Sequence, residues 1–118
     1  GLADSAVRTA LLRAGNTFVE IFEYLNPRGR EGDPRRRACD AGITHICFDV
    51  IDVDVEYERL LKEGVTFHSP PVDVGGAVRT TYGRDPDGNI LELQEVTAKN
   101  LPLDLEAVLG DTTGLRIE

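Results

Sequence analysis

The chain has 118 residues, room for one ordinary domain and too few for two. It sets 13 Lys+Arg against 21 Asp+Glu, and the resulting net charge of −8 repels phosphate, which argues against nucleic acid and anionic membrane surfaces as partners. At 41% hydrophobic and 29% charged it reads as globular, without a membrane-length apolar run or a secretory leader, and its two cysteines make no disulfide scaffold, so a reduced cytoplasmic setting is expected.

Residues 5–13 read as a strand, and 17–24, Thr-Phe-Val-Glu-Ile-Phe-Glu-Tyr, as a second. Gly15 and Asn16 tolerate positive φ and turn the chain between them. Residues 25–41 hold two Pro, two Gly and five Arg without a period, which predicts a linker with a solvated basic face. Residues 43–50 predict a strong strand. Asp52 is placed to cap a helix whose apolar stripe is Val53, Tyr57, Leu60 and Leu61, ending at Gly64. A short strand over 65–68 stops at Ser69-Pro70-Pro71, and Gly75-Gly76 reads as a simple loop. Strands over 77–84 and 89–96 flank the turn Asp85-Pro86-Asp87-Gly88. In the tail, 98–118, Pro102 and Gly110 bracket a short helix.

The chain repeats itself. Ala6-Val7-Arg8-Thr9 recurs identically at 77–80, Gly15-Asn16 recurs as Gly88-Asn89, and Val19-Glu20-Ile21-Phe22-Glu23 recurs as Leu91-Glu92-Leu93-Gln94-Glu95, at offsets of 71, 73 and 72. The drift falls in a hairpin turn, where length changes are tolerated. The chain is thus read as the last two strands of a first unit (1–24), a linker (25–41), a complete βαβββ unit (42–97) and a tail. On the same offset about 30 residues, a strand, a helix and a strand, are expected ahead of Gly1; the absence of Met fits a chain that starts inside its first unit.

Parity then groups the ionisable side chains. His45, Cys47 and Asp49 share one strand face, and Ile46, Phe48 and Val50 the other. Glu92 shares a face with Ile90 and Gln94, and Glu20 holds in the first unit the place of Glu92 in the second. A curved sheet of two pseudo-symmetric units would bring Glu20, His45 and Glu92 to one centre. One nitrogen with carboxylate oxygens suits a divalent ion, and Zn, Ni, Co, Mn and Fe all remain open. Cys47 is expected to be a buried structural thiol, and His68, before Ser69-Pro70, a surface residue.

The run Gly42-Ile-Thr-His45-Ile-Cys-Phe-Asp-Val50, the segment Leu60-Leu-Lys-Glu-Gly64-Val-Thr-Phe67 and the turn-strand Asp85-Pro-Asp-Gly-Asn-Ile-Leu-Glu92-Leu93 resemble the vicinal oxygen chelate superfamily of glyoxalases, bleomycin-resistance proteins and extradiol dioxygenases. The resemblance covers residues 5–97. It implies an α+β fold of paired βαβββ modules forming a cupped mixed sheet, with the first module N-terminally incomplete. It implies that His45, Glu92 and Glu20 are metal ligands and that the family's fourth ligand falls in the expected upstream stretch. It also implies a homodimer, open to strand or module swapping. The implied activity is a glyoxalase-like or epimerase-like lyase or isomerase, which stabilises an enolate of a small substrate with vicinal oxygens while Glu92 or Glu20 moves the proton. An Fe(II) ring-cleaving dioxygenase is the first alternative, weakened because His45 and His68 are the only histidines. A non-catalytic drug-binding resistance protein is the second.

Overall fold

The computed structural model describes residues 1–99 apart from Asn16 and Pro34. These divide into two compact units, one of Gly1–Glu31 and one beginning at Gly32. The tail helix expected after Pro102 lies outside the described residues.

The first unit is a hairpin of β1 (Ala6–Ala14) and β2 (Thr17–Asn26), paired antiparallel from Ala14 against Thr17 back to Ala6 against Asn26. β-branched and aromatic side chains favour this pleated ribbon. A two-stranded sheet cannot bury both faces, and Leu11, Leu12, Phe18 and Ile21 are each at least half exposed.

The second unit carries β3 (His45–Asp49), α1 (Val53–Lys62), β4 (Thr66–Phe67), β5 (Val72–Val74), β6 (Val78–Arg84) and β7 (Ile90–Val96). Its five-stranded sheet runs β3-β7-β6-β4, with β5 also on β6; β3 pairs parallel to β7 and all other pairs are antiparallel. The sheet is therefore mixed, and β3 is an edge.

Helix α1 starts where Asp52 accepts a hydrogen bond from the Val55 backbone N–H at 3.0 Å. Such a cap contributes about 1 kcal/mol. Asp54 and Glu56 complement the positive end of the helix dipole. Gly64, at φ +92°, lets the chain leave in a conformation that L side chains rarely adopt. α1 packs on β6 and β7. Val53 is fully buried, its N–H donates to Glu95 Oε2 at 3.1 Å, and Tyr57 meets Phe67 edge-on with ring centroids 4.9 Å apart. Phe67 in turn lies over Gly83, where an added Cβ would stand 3.0 Å from the ring. A side chain here would press the ring outward by a few tenths of an ångström, so glycine suits this close approach.

Two expectations change here. Leu61 is 44% exposed rather than part of the buried stripe. It lies about 80° around the helix from Val53, at the stripe's margin, whereas Tyr57 and Leu60 fall within about 40°. The 69–77 region also holds an unexpected strand: Val72-Asp73-Val74 pairs with β6, and Gly75 and Gly76, at φ +67° and +69°, make the tight turn. Asp73 Oδ1 accepts from the Gly76 N–H at 2.8 Å, closing it.

Candidate metal centre

The register assigns the two faces of the sheet. Cys47 stands opposite Glu92, and Glu92 opposite Tyr82, so His45, Cys47, Glu92, Tyr82 and Thr80 share the face away from α1. Leu91, Leu93 and Thr81 take the helix side, where Leu93 and Thr81 are buried and the Thr81 hydroxyl donates to Ser69 O at 2.7 Å.

Glu92 sits at the centre of the helix-free face and is only 8% exposed. A buried carboxylate needs compensating partners. Thr80 Oγ1 lies 2.7 Å from Glu92 Oε1 and His45 Nε2 lies 3.0 Å from Oε2, and the Cys47 thiol and the Tyr82 hydroxyl also hydrogen-bond the carboxylate. His45 is itself held. Its Nδ1 is 2.9 Å from Thr44 Oγ1, and its ring meets Tyr82 at 90° with centroids 5.5 Å apart. The Glu92 charge is felt by its neighbours. Burial first, then Glu92, pushes the Cys47 thiol from 9.0 up to about 12. The same two causes, in the same order, raise the Tyr82 phenol from 10.0 to about 12. Both groups therefore stay protonated at neutral pH.

An imidazole nitrogen beside a carboxylate oxygen is a donor pair that suits a divalent ion. At 3.0 Å the two atoms stand at hydrogen-bond distance, which is also the separation of two neighbouring donors about 2.1 Å from a six-coordinate ion. Ligation through Nε2 leaves the ring proton on Nδ1, where Thr44 Oγ1 accepts it, the outer hydrogen bond that metal-binding histidines commonly make. Among the described residues, no three His, Cys, Asp or Glu side chains form a set able to hold an ion. Glu20, the third expected ligand, belongs to the hairpin unit, exposed on β2 opposite Leu11.

The register of the two hairpins reproduces the sequence repeat rung for rung. Glu20 pairs with Leu11 and Phe22 with Thr9; Glu92 pairs with Tyr82 and Gln94 with Thr80. Glu20 and Glu92 thus occupy equivalent positions in their own hairpins, as do Thr9 and Thr80.

Beside His45 the second unit opens a pocket of about 400 Å³, whose lining includes Arg36, Arg37, Thr44, Arg84 and Ile90. That volume is within the range of small-molecule sites. The arginines are engaged: Arg36 Nη2 donates to Ala41 O and Ile43 O, Arg37 pairs with Asp40 at 2.9 Å, and Arg84 Nη1 donates to Gly88 O at 2.6 Å. Arg36 thereby ties the linker to the pocket wall at Ile43, while Arg36 and Arg37 themselves stay exposed, as the linker reading expects.

His68 is exposed, as its sequence context suggests. Cys47 is exposed, contrary to the expected buried thiol. It sits on an edge strand, on the face that α1 leaves bare, yet its sulfur is desolvated enough to disfavour the thiolate. Thr44, Thr80 and Tyr82 were not singled out by sequence. For Thr80 a signal existed: it ends the repeated Ala-Val-Arg-Thr segment, in the position equivalent to Thr9.

Comparison with known proteins decides the family. The model of the Glyoxalase/Bleomycin resistance protein/Dioxygenase superfamily matches residues 2–93. The chain belongs to this superfamily. Similar members include the uncharacterized protein YaeR of Escherichia coli (strain K12), 35% identical over 69% of this chain and 60% of YaeR. The glyoxalase domain-containing protein RDO1 of Mycosarcoma maydis is 33% identical over 58% of this chain and 42% of RDO1. The chain therefore spans less than two thirds of either curated relative. Among solved structures, a glyoxalase family protein from Bacillus cereus superposes with a TM-score of 0.71 at 23% identity, covering 80% of this chain and 64% of that one, a likeness of fold. A glyoxylase/bleomycin resistance protein/dioxygenase domain from Frankia sp. EAN1pec gives 0.60 at 25% identity, covering 81% and 73%. The superfamily's α+β architecture is the one described above.

Proposed function

We propose that the protein is a metal-dependent lyase or isomerase of glyoxalase or epimerase type, acting on a small molecule with vicinal oxygens. The observation that carries this reading is the His45 Nε2–Glu92 Oε2 pair, 3.0 Å apart on the helix-free face beside a small-molecule-sized pocket. His45, Glu92 and Glu20 would hold one divalent ion. When bound, the ion supplies positive charge where the substrate's oxygens become negative in an enolate-like transition state.

The chain's own residues do the rest. Thr44 fixes the His45 ring through Nδ1. Thr80 occupies one oxygen of Glu92 and leaves the other facing His45. The carboxylates of Glu92 and Glu20 are the groups able to accept a proton from carbon and return it. Tyr82 and Cys47, protonated at neutral pH, add no competing charge beside Glu92.

The test is proton exchange in deuterated water, with the Zn²⁺-supplemented protein and a panel of 2-oxo acids, 2-oxo thioesters and hemithioacetals. Deuterium should enter at the carbon next to a carbonyl and fall at least about 100-fold in Glu92→Gln, the usual contribution of a positioned acid–base group. Exchange unaffected by Glu92→Gln would overturn the assignment. The same reading includes a homodimer, in which a second copy covers apolar hairpin side chains such as Leu11 and Phe18, each more than 60% exposed. Sedimentation at the mass of a single chain would contradict that part.

A further inference from the structure

We propose that Thr80 is a positioning residue that makes Glu92 a one-oxygen metal ligand; this rests on the metal reading above and deepens it. Thr80 is 6% exposed, and its Oγ1 lies 2.7 Å from Glu92 Oε1 and 2.9 Å from Leu93 O. A hydroxyl has one proton to give. The charged oxygen is nearer, and bonds to an ionised acceptor are about twice as strong as neutral ones, so the proton goes to Glu92. Oε1 is thereby engaged from below, within the sheet. Oε2 faces His45 Nε2. The two carboxylate oxygens have separate tasks, one tied to the scaffold and one presented to the ion.

The position recurs. Ala-Val-Arg-Thr is the segment repeated without change, and its threonine stands one same-face step from the residue opposite the glutamate in both hairpins, Thr9 beside Leu11 and Thr80 beside Tyr82. A strand interior is satisfied equally by valine, which has the same shape and no polar atom to bury. A buried hydroxyl aimed at the glutamate is therefore explained by what it holds. Thr81, next in the chain, supplies an internal control: it is 1% exposed, and its hydroxyl bonds Ser69 O on the opposite face.

Co²⁺ titration followed by its visible absorption tests this on the wild-type protein and on Thr80→Val, Thr80→Ser and Thr81→Val. Loss of an outer-shell partner of a ligand weakens metal binding by about 10- to 100-fold. Thr80→Val should lose that much and change the intensity of the Co²⁺ bands, because Oε1 of Glu92 loses its bond to the strand beneath it. Thr80→Ser should restore affinity and spectrum, and Thr81→Val should match the wild type in both while melting at a lower temperature. If Thr80→Val does not fold, Thr80→Ala carries the same comparison. Wild-type affinity and spectrum in the valine or alanine variant would overturn the role of Thr80 alone. A wild-type protein that takes up no Co²⁺ would overturn the metal reading as well.

Discussion

Glu92 organises the residues around it because its charge is nearly buried, at 8% exposure, and must be met by donors. Thr80 and His45 meet it at 2.7 and 3.0 Å, and Cys47 and Tyr82, hydrogen-bonded to it as well, hold their protons the more firmly for it. The thiol chemistry of Cys47 follows. Both cysteines are exposed, so access does not separate them. Raising a thiol from 9.0 to about 12 cuts its thiolate fraction at pH 8 about a thousandfold, and the thiolate is the form that reacts. Iodoacetamide should therefore label Cys39 well before Cys47, and Glu92→Gln should speed Cys47 by removing one cause of the shift, as read by mass spectrometry of the two peptides. Equal labelling in the wild type would contradict this. The same shift bears on stability. Between pH 9 and about 12 the unfolded thiol has ionised and the folded one has not, so the unfolded chain binds fewer protons and stability falls as pH rises through that window.

At the level of elements, legibility followed the strength of local chemistry. The helix is visible in sequence because Asp52, the 53-57-60 spacing and Gly64 each specify it independently, and it runs over Val53–Lys62 between those signals. The faces of β3 and β7 are visible because parity is fixed by the pleat; the register then places Cys47 opposite Glu92. Strand β5 is not visible, because three residues carry too little pattern, and what makes them a strand is pairing with β6 across a turn of two glycines. The bracing of the pocket by Arg36 is equally hidden, since its bonds go to the carbonyls of Ala41 and Ile43 and no side-chain pattern marks a carbonyl. Gly83 gains its meaning only in space, from Phe67 lying against it.

At the level of the whole molecule, the repeat is the informative feature. Two hairpins with the same register put a glutamate and a threonine at matching rungs, one pair in each compact unit. Sequence therefore pointed to Glu20, His45 and Glu92 together, whereas the structure joins His45 to Glu92 within one unit and has Glu20 in the other. The proposed ligand types do not select an ion, because one imidazole and two carboxylates suit several divalent metals. The net charge of −8 keeps its first meaning, with two of the 21 acids now given a proposed task. The most direct test is equilibrium dialysis against Zn²⁺ with metal counted per chain, in the wild type, His45→Ala, Glu92→Gln and Glu20→Gln. One ion per wild-type chain, with affinity reduced by about 10-fold or more in each variant, is the expected result for lost ligands; no bound ion in the wild type, or full affinity in Glu20→Gln, would contradict the proposed set of three ligands.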